Sequence, residues 1–376
     1  MPASLCLAQW IGAFRARALA NGIRPTVIDT AFQGVEYNTS AIEKDRNQGE
    51  FSRTIWDYLD SAASEERIAN GRAALKAHAD LLARIEQAYR VEKEILVAIW
   101  GLESAYGSFR GRDPTIAALA TLACDGRRGA FFEQELLAAL KILQAGDIEP
   151  RHMTGSWAGA MGHTQFMPSS YLRHAVDFNG DGKRDIWSED PADALASTAA
   201  YLAHSGWEKG QPWGREVTLP AGFDYDLAGA AVKKSPADWA ALGVRDVTGA
   251  PVSDHGPASI LLPGGARGAA FMIFGNFHVI ERYNPADAYV IAVGHLADRI
   301  AGGAPIRASW PREYRALVPA EREELQRLLT LAGFDTRGVD GKIGPNTINA
   351  IRAFQRARGL IPDGFASPDI LKMLRG

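Results

Sequence analysis

The sequence predicts a mainly helical chain of the α+β class, built from several parts. Three observations carry that expectation. Long stretches repeat apolar residues at helical spacing, above all VEKEILVAIWGLESA at 91–105 and FFEQELLAALKILQAG at 131–146. Between about 207 and 275 the texture changes. Short apolar runs (REVTLP, ASILLP, AAFMIF) alternate there with Gly, Pro and Asp clusters, which predicts short strands and turns. The tail, 321–376, reads as a compact unit of its own.

Residues 1–90 read as an N-terminal helical domain. The opening MPASLCLAQWIGAFRARALANGI has no basic leading region, and Arg15 and Arg17 interrupt its apolar run. It therefore reads as an amphipathic helix rather than a signal peptide. In 91–105, Leu96, Trp100 and Glu103 recur at steps of four and three and share one face. Ile95, Ile99 and Leu102 widen that apolar face. The 131–146 helix ends at a Gly stop signal. A core over 91–300 thus carries a small α+β insertion at about 207–275, and helix returns near 285–300. Residues 301–320, rich in Pro, Gly and Ala, read as a linker.

In 321–376, EREELQRLLTLAGF leads into VDGKIGPNTINAIRAFQRARGL, and the turn recurs in PDGFASPDILKML. Asp340 lies five residues before Pro345, and Asp363 five before Pro368. This is a short internal repeat of turn followed by helix, Asp-Gly supplying the turn and Pro opening the helix. About 56 residues is near the lower limit for independent folding, so a tight helical bundle is required.

Composition bounds the function. At roughly 150 residues per domain, 376 residues make two or three domains. Hydrophobic residues at 47% and charged residues at 23% are ordinary globular usage. Lys+Arg 41 against Asp+Glu 44 gives a net charge of -3, so no basic field gathers nucleic acid, and such a partner is disfavoured. No apolar run approaches the roughly 18 to 20 residues of a transmembrane segment. Cys6 and Cys124 are the only cysteines, too few for a disulfide framework or a cysteine zinc site. Whether they pair is left open.

Four features carry candidate chemistry. Glu103 ends an apolar helix face and is followed by Ala105-Tyr106-Gly107. Desolvation raises a carboxyl pKa, and a carboxylic acid kept protonated near neutral pH can donate to a leaving oxygen. By spacing alone, a helix-end Glu that turns to solvent or pairs with an arginine is the commoner case. The second feature, GSWAGAMGHTQFMPSSY at 155–171, gathers small residues, a Trp, amides and hydroxyls. Ser156 and Gln165 offer directional hydrogen bonds that suit a sugar-binding wall, though a Gly-rich connection between helices has the same composition.

The third is DFNGDGKRDIWSEDPAD at 177–193. Asp177, Asn179 and Asp181 stand at positions 1, 3 and 5, Gly182 at 6 and the Lys183 carbonyl at 7 of a calcium loop. Position 12 is Ser188 instead of Glu, so Glu189, Asp190 or Asp193 would have to close the shell, and an Asx-turn loop without metal is the alternative. The fourth is ERYNPADAY at 281–289, where Tyr283, Asn284 and Tyr289 offer aromatic faces and polar tips. It also reads as a helix N-terminus with Asn as cap and Pro in the first turn. HExxH, CxxC, phosphate-loop, GxGxxG and GxSxG patterns are absent from the sequence. Of eight His, only His163 lies inside a candidate site, and a lone His is more often structural than a ligand.

Together these blocks resemble the membrane-bound lytic transglycosylase B type of peptidoglycan lytic transglycosylase, including its soluble relatives. IWGLESAYG, GSWAGAMGHTQFMPSSY, the DFNGDG loop and RYNPADAY match in order over about residues 99 to 289. The tail separately resembles the common peptidoglycan-binding domain, through LQRLL, GF, VDGKIGPNT and AFQRARGL. The resemblance implies a lysozyme-like catalytic core over 91–300 and a C-terminal three-helix peptidoglycan-binding domain. It implies that Glu103 is the sole catalytic acid and base, and that Ser156, Gln165, Tyr283, Asn284 and Tyr289 line the glycan cleft. It implies a structural calcium ion at Asp177, Asn179, Asp181, Lys183 and Asp193, with two extra residues before the last ligand, and no organic cofactor. His163 and Thr164 stand where relatives often have Tyr-Gly.

The expected partners are peptidoglycan glycan strands, and the expected location, from family and substrate alone, is the periplasm. The expected reaction is cleavage of the β-1,4 bond between N-acetylmuramic acid and N-acetylglucosamine, leaving 1,6-anhydromuramyl ends. A hydrolytic muramidase and a non-catalytic wall-binding scaffold are the alternatives.

Overall fold

The computed structural model describes residues 3–46 and 53–376, with side chains from Cys6 onward in the first stretch. The chain divides into two compact units. One takes the described residues of Met1–Gln48 with Glu66–Lys209, the other those of Gly49–Glu65 with Gly210–Gly376.

The first unit is helical. Its opening helix, Ala3–Ala20, buries Leu7, Phe14 and Ala18, which fall on one face at helical spacing, and leaves Arg17 to pair with Glu133. The expected 91–105 helix runs Lys93–Ser104, with Ile95 through Gly101 all buried, so it crosses the core instead of skirting it. The helices Thr115–Asp125 and Gly129–Ala145 pack against each other and bury most of their surfaces. Gly146 caps the second of these in the left-handed conformation that the sequence signal anticipates. Strands β1 (Asp113–Pro114) and β2 (Thr154–Gly155) form a two-residue antiparallel ladder, Asp113 opposite Gly155. Helices Pro168–His174 and Ala192–His204 complete the unit around the irregular 175–191 segment.

The second unit holds the short strands. β3 (Gly214–Thr218), β4 (Arg245–Asp246), β5 (Ser259–Leu261) and β6 (Ala270–Ile273) make one antiparallel sheet in the order β4-β3-β6-β5. REVTLP, ASILLP and AAFMIF thus supply three of the four strands. Trp239, wholly buried, anchors the sheet's own core with Val217, Ile260, Met272 and Phe274, and its indole N–H donates to the Ala258 carbonyl at 2.8 Å. Helices Ile55–Ala62, Gly275–Tyr283 and Asp287–Ile300 belong to the same unit.

The tail is a bundle of three helices, Pro319–Leu331, Pro345–Ala357 and Pro368–Arg375, closed over Leu325, Leu329, Ile351, Phe354 and Ile370. Pro345 and Pro368 each open a helix, as the turn-helix repeat requires. The repeat has a physical basis that the spacing does not reveal. Gln326 reaches the first Asp-Gly turn, its carboxamide oxygen accepting from Asp340 and Gly341 amides. Gln355 treats the second turn alike, accepting from the Gly364 amide and donating to Asp363. Residues 301–318 form no regular element but are pinned along the unit: Glu216 accepts from the Arg307 and Ala308 amides, and Arg312 forks onto Asp60. They form an ordered strap rather than a loose tether. No helix among the described residues is long and apolar enough to cross a membrane.

Candidate active site

The first unit assembles three of the sequence-selected segments. Glu103 is the second-last residue of the Lys93–Ser104 helix. The chain then turns through three successive left-handed residues, Ala105, Tyr106 and Gly107. Two of these carry side chains, so the turn stores strain that its surroundings must hold.

Ser104 holds it. The Ser104 hydroxyl, 2% exposed, donates to the His163 carbonyl at 2.5 Å and accepts from the Gly107 amide at 2.9 Å. Tyr106 adds a second clasp, its hydroxyl donating to the Arg67 carbonyl at 2.6 Å. Burial pushes that phenol up to about 12, so it stays protonated near neutral pH.

His163 is the pivot of this arrangement. Its Nδ1 accepts from the Trp100 indole N–H at 3.1 Å, which leaves the proton on Nε2, 2.7 Å from the Ser188 carbonyl. Burial pushes the imidazole below its ordinary pKa, with the Arg110 guanidinium adding to the effect. It is a neutral structural histidine that ties the Glu103 helix to the end of the 177–193 segment. A Cβ on Gly107 would lie 2.6 Å from its Nδ1, so only glycine fits there.

Ser156 and Gln165 are brought beside the Ser108–Arg112 segment that follows this turn. Ser156 follows β2 and heads a tight loop: its Oγ accepts from Ala158 and Ala160 amides at 3.3 and 3.1 Å. Gln165 adopts a left-handed backbone and donates through Nε2 to the carbonyls of Arg110 and Gly162. The register depends on Gly111, where a Cβ would meet the Gly155 carbonyl at 2.1 Å. Buried Glu135 fixes the segment's far end by accepting from the Ser169 amide and hydroxyl. The result is a cleft of about 690 Å³ walled by Ser108–Arg112, Thr154, Ser156, Gly162, Gln165 and Trp187. Among the described residues that wall it, none is acidic.

The 177–193 segment folds as a loop held by its own acids. Asp177 accepts from the Gly180, Asp181 and Gly182 amides, Asn179 from Asp181, and Asp181 from Lys183. Asp193, 1% exposed, opens the Ala192–His204 helix and accepts from the Phe178, Asn179 and Asp185 amides. Burial raises its carboxyl above the ordinary value, although these amides work the other way. Four of the selected oxygen donors, Asp177, Asn179, Asp181 and the Lys183 carbonyl, lie on the loop, and Asp193 lies in the first turn of the helix that follows it. Among the described residues no three acidic, His or Cys side chains converge as a metal group.

Tyr283, Asn284 and Tyr289 lie in the second unit. Tyr283 ends the Gly275–Tyr283 helix and Asn284 is its C-cap. The sequence reading of Asn284 as an N-cap is corrected. The residue before the next helix is Ala286, whose amide donates to Asn284 Oδ1 at 3.1 Å, so Asn284 makes an Asx turn between two helices. Tyr289 is buried in the first turn of Asp287–Ile300. Ser104, Arg110 and the exposed Phe109 were missed by sequence reasoning. Ser104 and Arg110 act through partners far along the chain, and the side-chain exposure of Phe109 has no local signal.

Residues 7–298 match the Transglycosylase SLT domain family, and 319–374 match the peptidoglycan binding domain family. The chain belongs to the lytic murein transglycosylase B family. Its core is lysozyme-like, and it is an enzyme of the lytic transglycosylase class. It is 36% identical to the membrane-bound lytic murein transglycosylase B of Escherichia coli (strain K12) over 251 residues, 65% of this chain and 66% of that protein. It is 50% identical to SltB3 from Pseudomonas aeruginosa, solved in complex with NAG-anhNAM-pentapeptide, with a TM-score of 0.96 over 98% of this chain and 99% of that one. Escherichia coli Slt35, solved in complex with calcium, is 32% identical with a TM-score of 0.66, over 79% of this chain and 92% of the other.

Proposed function

We propose that the chain cleaves the β-1,4 bond between N-acetylmuramic acid and N-acetylglucosamine in peptidoglycan with Glu103 as its single acid and base. One observation carries this reading: Glu103 stands at the end of a buried helix, just before a strained, clasped turn at 105–107 that runs into the Ser108–Arg112 wall of the cleft. A hydrolase of the usual kind needs two carboxylates across the scissile bond, one to protonate and one to attack or activate water.

Glu103, protonated, donates to the glycosidic oxygen as the bond to the muramyl C1 breaks. Positive charge grows on the muramyl ring, and the substrate's own N-acetyl group shields it. By the family resemblance, Ser156 or Asn284 orients that group, and Gln165, Tyr283 and Tyr289 are the residues that line the glycan path. Glu103, now a carboxylate, takes the proton of the muramyl C6 hydroxyl, whose oxygen attacks C1. Protons and bonds balance, no water is consumed, and the product is a 1,6-anhydromuramyl end. A well-placed intramolecular hydroxyl reaches an effective molarity of about 10⁵ M or more, so it outruns bulk water.

By resemblance to the family's calcium loop, Asp177, Asn179, Asp181, the Lys183 carbonyl and Asp193 are the oxygen ligands that would hold a calcium ion. The ion would supply charge that cross-links the loop, and it takes no part in the reaction. Peptidoglycan as substrate places the enzyme's work in the periplasm, and the C-terminal bundle would hold it on the wall, raising local substrate concentration without changing the chemistry.

The test is mass spectrometry of purified peptidoglycan digested by the protein, with Glu103→Gln alongside. Anhydromuramyl products, absent with Glu103→Gln of intact fold, are expected. Products heavier by one water, or turnover by Glu103→Gln, would reject the assignment.

A further inference from the structure

The two cysteines of the chain meet. Cys6 lies near the start of the Ala3–Ala20 helix and Cys124 near the end of Thr115–Asp125, 118 residues apart in sequence. Their sulfurs are 2.9 Å apart, thiol against thiol, and both side chains are half-buried. Three independent ties hold the surrounding frame. The Arg17 guanidinium forks onto Glu133, with bonds of 2.6 and 2.9 Å, and fixes the first helix. At the other side the Asn38 amide donates to Thr121 Oγ1 at 3.0 Å, and Arg46 pairs with Asp125, next to Cys124. Both helices are therefore fixed by contacts other than the cysteines. Metal binding does not account for the pair: among the described residues, neither cysteine joins a His, Cys, Asp or Glu group that could hold an ion.

We propose that Cys6 and Cys124 are a disulfide-forming pair that, in an oxidising compartment, staples the first helix of the chain to the helix that follows β1. The oxidant is a small-molecule or protein disulfide. One cysteine thiolate attacks it and releases a thiol, and the second displaces the other half of the resulting mixed disulfide. Two protons and two electrons leave the cysteines, one S–S bond forms, and the oxidant's S–S bond becomes two thiols. Burial, then the contact with Cys6 and the nearby Asp125 charge, push the Cys124 thiol up to about 12, so the reduced pair persists until an oxidant arrives. The bond would close a long loop, and a constraint of that kind acts mainly on the unfolded chain.

The staple has a consequence for the site. The Thr115–Asp125 helix begins where β1 ends, and β1 pairs with β2 directly before Ser156. Fixing the first helix to this one protects the β1–β2 ladder against local opening from the chain's N-terminal end, without touching the cleft.

The full-length protein is equilibrated with a mixture of oxidised and reduced glutathione, then alkylated, denatured and digested. The expected result is an intact mass lower by two hydrogens, a linked peptide pair containing Cys6 and Cys124, and no free thiol on denaturation. The oxidised protein should melt roughly 5–15 °C higher than the same sample in reducing agent. Cys6→Ser and Cys124→Ser should each melt like the reduced form, whatever the redox buffer. Free thiols after equilibration, stable glutathione adducts, or a disulfide-linked dimer would overturn the pairing. A linked peptide with an unchanged melting temperature would overturn the staple.

Discussion

Ser104→Ala is the sharpest test of how the acid is held. The substitution removes one oxygen from a position 2% exposed to solvent. That oxygen donates to the His163 carbonyl at 2.5 Å and accepts from the Gly107 amide at 2.9 Å. Each such bond contributes about 1 kcal/mol net, and an orphaned buried partner costs at the upper end of that range. The expected loss is about 2 kcal/mol, a drop of roughly 4–8 °C in the melting of the unit that carries it. The larger effect should be on rate. Glu103 immediately precedes Ser104, and the turn behind it, Ala105 to Gly107, relaxes once its clasp is gone. A displacement of about 1 Å at a catalytic group costs on the order of 100-fold. Release of anhydromuramyl products from purified glycan should therefore show kcat down roughly 10- to 100-fold with KM little changed. Ser104→Cys, which keeps the volume but bonds weakly, should fall between the two. Wild-type kcat in Ser104→Ala, with the stability loss present, would mean that the clasp serves the fold alone.

Two further predictions concern the second unit. Gln326, 1% exposed, makes five hydrogen bonds, to the Asp340 and Gly341 amides, the Asp340 carboxylate, the Lys342 carbonyl and the Thr347 hydroxyl. Gln326→Leu should cost about 3–5 kcal/mol and speed hydrogen exchange across 319–375 far more than Gln355→Leu, which loses one donor and one acceptor bond; equal effects would refute this accounting. His295 should make stability pH-dependent. Burial, with Arg299 adding to it, holds its folded pKa at about 4 against an ordinary 6.5. The unfolded chain thus binds the proton first, so the contribution is full above about 6.5 and is lost as pH falls toward 4. With half-burial discounting the effect, melting should lose the equivalent of about 2 kcal/mol across that window, and His295→Leu should flatten the slope. An unchanged slope would assign it to other groups.

How much of this was legible depends on how far each determinant reaches. The 91–105 and 131–146 helices, the three main strands and the helix-opening prolines are encoded within a few residues, by apolar period and by turn chemistry, and the structure has them in place. The candidate residues themselves were legible only because four blocks match a family in order. Spacing alone left Glu103 an ordinary helix-end carboxylate. What the sequence hid is what holds those blocks in position. Ser104 meets His163 across 59 residues, Gln165 meets the Arg110 carbonyl across 55, and Arg312 meets Asp60 across 252. None leaves a local pattern, because a single hydroxyl or guanidinium has no period. β1 and β2 escape notice for a related reason: at two residues each they are shorter than any alternation, and their pairing relies on Gly111 admitting the Gly155 carbonyl. The same logic ranks the substitutions. A change inside a periodic element, such as Leu96, is felt as packing and should cost stability. A change in a long-range clasp, such as Ser104, removes little surface but loosens the turn behind Glu103, the proposed acid and base. The family motif points to Glu103 as the proposed acid and base, and the contacts around it decide whether it stands where the proposed reaction needs it.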